Sequence, residues 1–384
     1  MDFALSEEQG FIRDTIRKFI AKECDREKIK KMEEEGEFPQ GLFQTVAQMG
    51  FCALTIPESY GGGGPDALGA ALVAQELATI YPVLAGIYTS SALCGGFNIT
   101  QLASDEQKER YLPEIAQGKL LFTYAIEEPG AAYGLNRVKT TAEKDGEGYV
   151  INGTKTFVRL AERADYILTL VSTRKDEDPR DGLTIFLLDA KTPGITVNPL
   201  EKVGFDSSTL CDVVFDAVKV PKEAIVGGPE KINQGWDQYT KLMAARHLEI
   251  AILGVGIAKG AYEYAAQYAK EREQFGRPIA HFGSVKCMLV DMAIKINAAR
   301  NLLYQACWLA DTKGSFLAEA IMARICASQA ARSASMDCVQ ILGGYGYANE
   351  YDAQRYLRDS LVLFEGNTTE EEIKDSLAGL LKLI

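Results

Sequence analysis

The sequence predicts an α+β protein in three parts: a helical domain in residues 1–119, a middle β domain in 120–230 and a helical bundle in 231–384. Three observations lead to this architecture. Apolar residues recur at helical spacing in the first part, and short runs rich in β-branched and aromatic residues follow in the second. Long segments with helical periodicity then return. Separate blocks of helix and strand are typical of α+β proteins.

Two helices of the first part begin with a serine that is followed three residues later by a glutamine. Ser6 with Gln9 and Ser104 with Gln107 form the capping-box pattern, which satisfies free N–H groups at a helix N-terminus. Between these helices, the stretch 57–80 predicts a glycine-rich loop followed by an apolar helix.

The middle part contains five stretches with the composition of strands. In the first, YVINGTKTFV (149–158), the pair Asn152-Gly153 predicts a two-residue hairpin turn. The others are YILTLV, LTIFLLD, ITV and VVFDAVKV, in residues 166–171, 183–189, 195–197 and 213–220. We therefore expect a small antiparallel sheet or barrel.

Three long helices are predicted in the last part, near residues 236–273, 282–312 and 316–342. A glycine-rich break and an Arg-rich segment come next. A short final helix then begins at one of two adjacent threonines, since a glutamate stands three residues after each of them. The candidate caps are Thr368 with Glu371 and Thr369 with Glu372.

One carboxylate, Glu365, stands at the turn before this final helix, between Phe364 and Gly366. A carboxylate held at such a junction is a candidate general base.

Composition and charge narrow the class of protein. The 384 residues include 47% hydrophobic ones, enough for a large core, and the net charge of −12 argues against nucleic-acid or basic membrane-binding surfaces. There is no N-terminal signal pattern, and no apolar run approaches the roughly 18 residues of a membrane span. The eight cysteines form no CxxC pair, which predicts reduced thiols and a cytoplasmic protein. The two histidines, His247 and His281, are not spaced as zinc ligands.

Seven segments, in order, resemble those of the acyl-CoA dehydrogenase family, and the resemblance covers nearly the whole chain. They are PESYGGGG (57–64), SDEQKERYLPEIAQGK (104–119), EEPGAA (127–132), VFDAVKVPKEAIVG (214–227), EREQFGRPIAHF (271–282), QILGGYGY (340–347) and FEG (364–366). The resemblance implies a helical N-terminal domain, a middle β-barrel or sheet domain and a C-terminal four-helix bundle, with FAD as cofactor.

The resemblance also implies a reaction. A carboxylate removes the α-proton of a CoA thioester while the β-hydrogen leaves as hydride to flavin N5, and Glu365 matches that base. Some relatives carry the base just before an arginine of the first C-terminal helix, where this chain has Ala245 followed by Arg246. Arg246 is implied to hold the CoA pantetheine or the active-site end of that helix.

Five residues match family contacts to the adenosine diphosphate part of an FAD bound by the neighbouring subunit. They are Arg272, Phe275, Gln340, Gly343 and Gly344. A guanidinium suits phosphate, an aromatic ring suits adenine, and glycines allow close backbone approach. The resemblance thus implies a homo-oligomer, at least a dimer and usually a tetramer.

The sequence departs from the family at the flavin ring. Glu127 and Arg159 stand where the family has two hydroxyl residues, Phe157 replaces a tryptophan, and Tyr133 replaces a small residue. Two interpretations stay open. Glu127 and Arg159 pair with each other across the flavin edge, which offsets the cost of burying either charge alone. Alternatively, Tyr133 and Arg159 fill part of the isoalloxazine space, and FAD binds weakly or not at all.

The substrate-binding residues implied are Tyr88, Phe97, Tyr133, Arg246, Phe364 and Gly366. A fainter likeness to the crotonobetainyl-CoA branch suggests that Tyr88, Tyr133 and Phe157 cage a quaternary ammonium group. Core packing is the competing explanation for at least one of Tyr88, Phe97 and Phe364.

Three functions are therefore predicted as alternatives. The first is an FAD-dependent acyl-CoA dehydrogenase or enoyl-CoA reductase, with electron transfer flavoprotein as a candidate partner. The second is a non-redox CoA-thioester lyase or isomerase on the same scaffold, with a betainyl-CoA type of substrate as one option. The third is a catalytically silent subunit, against which Glu365 argues.

Overall fold

The structure is a computed structural model that describes residues 4–130, 138–174, 178–312, 314–364 and 369–383. Seven helices of the first part precede the first strand. They are α1 (Glu7–Glu23), α2 (Arg26–Glu34), α3 (Gln40–Gln48), α4 (Ala67–Ala78), α5 (Pro82–Thr89), α6 (Asn98–Leu102) and α7 (Asp105–Ala116). A π-helical turn, Ser90–Phe97, joins α5 to α6.

The predicted capping boxes are confirmed. The hydroxyl of Ser6 accepts a hydrogen bond from the backbone N–H of Gln9, whose side chain accepts one in return from the Ser6 backbone. Ser104 and Gln107 make the same reciprocal pair at the start of α7. These side chains fix both helix starts because they satisfy N–H groups that have no partner within the helix.

The middle part folds into a seven-stranded sheet. Its strands are β1 (Phe122–Ala125), β2 (Thr141–Asp145), β3 (Gly148–Arg159), β4 (Tyr166–Ser172), β5 (Leu183–Asp189), β6 (Ile195–Pro199) and β7 (Leu210–Pro221). The order is β1-β4-β2-β3-β7-β6, with β5 pairing with β4. Most pairs are antiparallel as predicted, whereas β4 pairs in parallel with β1 and at one position with β2.

The predicted hairpin turn at Asn152-Gly153 is wrong. Strand β3 runs straight through this pair, and the turn lies earlier, between Asp145 and Gly148. The glycine has a φ of 148° and sits at a register shift between β3 and β7. A Cβ atom there would lie 2.6 Å from the Cα of Thr140. The Asn-Gly pair therefore marks a β-bulge with close backbone approach, and not a hairpin turn.

Helices return after the sheet. They are α8 (Gly235–Glu271), α9 (Gly283–Asp311), α10 (Leu317–Leu342), α11 (Gly344–Tyr347), α12 (Ala353–Ser360) and α13 (Glu370–Leu380), with a small hairpin of β8 (Glu273–Gln274) and β9 (Arg277–Pro278) after α8. Helix α13 begins at Thr369 with Glu372 in a capping box, as predicted. The predicted α+β architecture is confirmed.

Helix α8 forms the centre of the molecule. Residues 242–258 of this helix are all buried, because it packs against α10, α9 and α4 at once and also reaches the sheet. Polar side chains in this stretch therefore lie in a low-dielectric interior, where they need partners. None of the helices in the described ranges is long and apolar enough to cross a membrane.

Candidate active site

A cleft lies where the helices of the first part, the sheet and α8 meet. Its lining is Val83, Gly86, Ser90 and Cys94 from α5 and the π-helical turn, Phe122, Thr123 and Tyr124 from β1, Phe157, Arg159 and Leu160 around the end of β3, Phe205 and Ser208 from a loop, and Arg246 and Glu249 from α8.

Three residues that line this cleft have a strained backbone. Phe157, Leu160 and Phe205 line it with φ angles of 53°, 59° and 57°, a region that bulky residues rarely adopt. Such conformations persist only where the surrounding structure imposes them, and they cluster at functional sites. The strain therefore supports a functional role for this cleft.

Arg246 pairs with Glu127 on one side of the cleft. The guanidinium Nη2 lies 3.1 Å from Glu127 Oε1, and the arginine is almost fully buried on α8. The same guanidinium lies 5.6 Å above the ring centroid of Tyr124. A buried arginine with a carboxylate and an aromatic face is fixed in orientation.

Arg159 faces a carboxylate that the sequence analysis did not single out. Its Nη2 lies 3.9 Å from Oε2 of Glu249, one turn after Arg246 on α8. The proposed pairing of Glu127 with Arg159 is therefore corrected, since each of the two pairs with a residue of α8 instead. The pairs form because α8 passes the C-terminal ends of β1 and β3. It thereby brings an oppositely charged side chain to Glu127 and to Arg159.

Glu249 is also held by a tyrosine. The hydroxyl of Tyr124 donates a 2.5 Å hydrogen bond to Glu249 Oε1, and the side-chain amide of Asn98 donates to the tyrosine oxygen at 2.9 Å. Burial raises the pKa of Glu249 to about 7, although Arg159 and the tyrosine hydrogen bond oppose this shift. A glutamate inside the apolar run LEIAILGVG was the one sequence signal that could have found it.

A fully buried ion pair supports the Glu127 side of the site. Lys155 Nζ lies 2.8 Å from Glu128 Oε1 and donates a second hydrogen bond to the Ile126 carbonyl. The Glu128 carboxylate also accepts backbone hydrogen bonds from Lys139 and Thr140. This pair therefore holds the segment that carries Glu127 against β3.

The loop that carries Phe205 is held in place by α12. Arg358 Nη1 donates to the Val203 carbonyl at 3.0 Å and to Asp206 Oδ2 at 2.5 Å. Asp359 Oδ1 accepts a 2.8 Å hydrogen bond from the Phe205 backbone N–H. The helix that precedes residue 365 thus positions one wall of the cleft.

Two predicted acyl-pocket residues lie in the core and not in the cleft lining. Tyr88 is fully buried, and its hydroxyl donates to the Phe51 carbonyl at 2.9 Å. Phe97 packs edge-to-face on Phe316, with ring centroids 5.9 Å apart. Both rings fill space between helices, which is the core-packing explanation, and no described contact supports a place for them in an acyl pocket.

The residues predicted at the adenosine end lie apart from the cleft lining. The Arg272 guanidinium lies 5.6 Å above the ring of Tyr345, so the β8–β9 hairpin and the QILGG turn are neighbours. Phe275, beside this hairpin, is 94% exposed. Gly343 has φ 60° and ψ −133°, and nothing described lies within 4 Å of a Cβ placed there. In the single chain these features lie on an open surface.

Three predicted residues, Glu365, Gly366 and Tyr133, lie outside the described residues, as does the side chain of Phe364. Within the described ranges no group of three or more potential ligands is placed to hold a metal ion.

The side chains around the cleft fit a flavin. Glu127 Oε2 is buried and accepts no hydrogen bond within the described part of the chain. An isoalloxazine ring offers an N–H donor that could satisfy such an oxygen. Phe157 supplies an aromatic face, and Arg159 supplies a cation beside it. A charge near the isoalloxazine ring changes the electronic properties of a bound flavin.

Sequence profiles of the acyl-CoA dehydrogenase N-terminal, middle and C-terminal domains match residues 6–119, 123–218 and 233–374. Subunit CarC of the caffeyl-CoA reductase-Etf complex of Acetobacterium woodii is 36% identical over 96% of this chain and 97% of its own. The 3-(aryl)acrylate reductase of Clostridium sporogenes is 33% identical over 96% and 97%.

A solved structure is similar over its full length. Butyryl-CoA dehydrogenase from Megasphaera elsdenii superimposes with a TM-score of 0.93 at 30% identity, over the full length of both chains. The chain belongs to the acyl-CoA dehydrogenase family, whose members are FAD-binding oxidoreductases that act on CoA thioesters.

Proposed function

We propose that this protein is an FAD-dependent acyl-CoA dehydrogenase or, in the opposite direction, an enoyl-CoA reductase. The observation that carries the proposal is the cleft that Arg246 and Arg159 line, where Arg246 pairs with Glu127 and strained residues supply part of the wall. It lies in a chain that matches acyl-CoA dehydrogenase profiles from end to end. FAD, when bound, accepts or returns the hydride at the β-carbon of the acyl group.

The chain's own residues divide the remaining work. Glu127, Phe157 and Arg159 would hold the isoalloxazine ring, while Arg272, Phe275, Gln340, Gly343 and Gly344 would hold the adenosine diphosphate of the neighbouring subunit's FAD. Arg246 is fixed by Glu127 and Tyr124 and would orient the CoA thioester. The apolar lining residues of the cleft would exclude water from the acyl carbon atoms.

Glu365 is the proposed base that takes the α-proton. In the sequence, α12 and the 3₁₀ turn Leu361–Phe364 come just before Glu365, and α13 follows with Thr369 as its cap. Hydrogen bonds join α12 to the loop that carries Phe205, so this helix lies next to the cleft wall. A thioester acidifies the α-carbon, but a positioned base is still needed to remove the proton.

Two of the similar proteins favour the reductive direction and an electron partner. They are named as a caffeyl-CoA reductase-Etf complex subunit and a 3-(aryl)acrylate reductase. We infer that this protein exchanges electrons with an electron transfer flavoprotein and reduces an enoyl-CoA.

A non-redox CoA-thioester lyase or isomerase is the second candidate. The pairs Glu127–Arg246 and Arg159–Glu249 favour it, because they place charged side chains of the middle part against α8 at the positions expected beside the flavin edge. The two candidates differ in whether the acyl group gains or loses two hydrogen atoms.

Two measurements test the proposal. Purified protein should show the visible absorbance of bound flavin, and a panel of acyl-CoA and enoyl-CoA compounds should yield products that differ by two hydrogen atoms. Products of unchanged mass from flavin-free protein would instead establish the non-redox candidate. Glu365→Gln should lose turnover by a factor of roughly 100 or more while it keeps the flavin.

A further inference from the structure

The cleft places a buried carboxylate among apolar side chains. Glu249 of α8 lines it together with Val83, Phe122, Leu160 and Phe205. The Glu249 side chain is only 2% exposed, so little water reaches its charge. A carboxylate in such surroundings is poorly hydrated, and every further loss of water favours its protonated form.

The two carboxylate oxygens of Glu249 have different surroundings. Oε1 accepts the 2.5 Å hydrogen bond from the Tyr124 hydroxyl. Oε2 accepts no hydrogen bond from the described residues, and Arg159 Nη2 lies 3.9 Å from it, beyond hydrogen-bonding distance. Oε2 is therefore the oxygen whose remaining stabilisation depends on water.

The groups that face Glu249 come from four elements. Arg159 of β3 and Arg246 of α8 attract its negative charge, and Tyr124 of β1 donates its hydrogen bond. Cys94 of the π-helical turn stays a neutral thiol, because burial raises its pKa well above the usual value. Burial outweighs the attractions and raises the pKa of Glu249 to about 7, so both protonation states are populated near neutral pH.

An uncharged acyl group that enters the cleft displaces the water near Oε2. Its carbon atoms offer this oxygen no hydrogen bond in exchange. The ion pairs of Arg159 and Arg246 stay in place, because the ligand replaces only water. The ionised carboxylate loses more from this exchange than the protonated one, so binding favours the protonated form.

We propose that Glu249 makes ligand selection in this cleft proton-linked: an uncharged acyl group is bound together with one proton on the Glu249 carboxylate. The proton comes from solvent, and no bond of the ligand forms or breaks. Tyr124 is a positioning residue here, since its hydrogen bond occupies Oε1 and leaves Oε2 to take the proton. This proposal rests on the proposed function only in assuming that the cleft receives the acyl group.

The test counts the protons that are taken up when a ligand binds. Isothermal titration of the oxidised protein with crotonyl-CoA, 2-hexenoyl-CoA and cinnamoyl-CoA is repeated in buffers of different ionisation enthalpy. No reductant is present, so no hydrogen is transferred and the heat reports binding alone. Free CoA carries the same phosphate groups without an acyl group, and its proton uptake is subtracted.

We expect about 0.5 to 1 proton per bound enoyl-CoA near pH 8, and almost none near pH 5, where Glu249 already carries the proton. Affinity should fall by close to tenfold for each pH unit on the alkaline side of the Glu249 pKa of about 7. Binding without this uptake overturns the proposal, and so does failure of all three enoyl-CoA ligands to bind.

Substitutions assign the proton to one carboxylate. Glu249→Gln keeps the size of the side chain but cannot titrate, so the uptake should disappear and affinity should no longer fall with pH. Glu365→Gln removes the other carboxylate expected at the acyl group, and the uptake should persist in this variant. Uptake that is mostly retained in Glu249→Gln, or lost in Glu365→Gln, overturns the proposal.

Glu33→Gln is the matched control. Burial also raises the pKa of Glu33 to about 7, but this residue does not line the cleft. Its substitution should leave the proton uptake unchanged, and a loss of uptake contradicts the assignment to Glu249. Product masses decide the proposed function separately, since protons are counted whether or not hydrogen is transferred.

Discussion

At the scale of single residues, Glu249 makes stability depend on pH. Burial raises its pKa from 4.5 to about 7, so the folded protein binds this proton more tightly than the unfolded chain. The stabilisation is complete below pH 4.5 and is lost as the pH rises through about 7. Relative to Glu249→Gln, which cannot titrate, the wild-type free energy of unfolding should fall by roughly 3 kcal/mol across this window.

Urea denaturation of both proteins at a series of pH values measures this difference. Burial also raises the pKa of Glu33 to about 7 and that of Asp311 to about 6, so the pH dependence of either protein alone mixes several groups. Subtracting the two curves removes these shared contributions. A difference that stays constant between acid and neutral pH would contradict the assignment.

The buried pair of Lys155 and Glu128 gives a second prediction at this scale. Lys155→Met leaves the Glu128 carboxylate buried without its cation, and the free energy of unfolding should fall by about 3–5 kcal/mol. The double variant Lys155→Met with Glu128→Gln removes both charges and should recover part of that loss. Denaturant titration measures both, and equal stability of the single and double variants would contradict this explanation.

The sequence identified the unusual residues of the site but not how they pair. Glu127 and Arg159 were recognised because they depart from a family pattern. Their partners, Arg246 and Glu249, lie about 90 to 120 positions further along the chain, on a helix whose rotation about its axis is set by packing. Glu249 matches no motif, and its place in an apolar run signals burial but not a position beside the cleft.

At the scale of elements, α12 positions the loop that supplies Phe205 and Ser208 to the cleft. Arg358→Ala removes the contacts to Val203 and Asp206, so the loop should exchange its amide hydrogens faster. Acyl-CoA binding should weaken roughly 5- to 30-fold, by about 1–2 kcal/mol, with a smaller change in overall stability. Hydrogen exchange of residues 203–208 and isothermal titration measure the two effects.

Lys222→Ala is the control for this element. It removes an exposed ion pair with Glu147 that is remote from the cleft lining. Binding and loop exchange should both stay at wild-type values. If Arg358→Ala behaves in the same way as this control, α12 does not position the loop.

Helices were predicted better than turns. The long helices begin and end within a few residues of prediction, because capping residues and periodicity act locally. Asn152-Gly153 failed because its local preference for a turn was overridden by pairing of β3 with β7 along its length. The parallel pairing of β1 with β4 joins segments distant in sequence, which no local pattern encodes.

At the scale of the whole molecule, the C-terminal helices present an apolar face. Large side chains on α9 and α10 stay exposed in the single chain, among them Val290, Ile294, Trp308 and Met336. An exposed face of this kind is typical of a surface that a second subunit covers. The family resemblance implies the same, because the residues expected at adenosine would act on the FAD of a neighbour.

Trp308→Glu tests this whole-molecule organisation. Trp308 is 60% exposed, so a glutamate there disturbs little inside the subunit but places a charge in the expected interface. Analytical ultracentrifugation should show a smaller assembly than the wild type, and bound flavin should decrease with it. Phe11→Glu, at an aromatic on α1 that is 72% exposed, should keep the wild-type assembly. A Trp308→Glu protein that sediments like the wild type would show that this face is not the subunit interface.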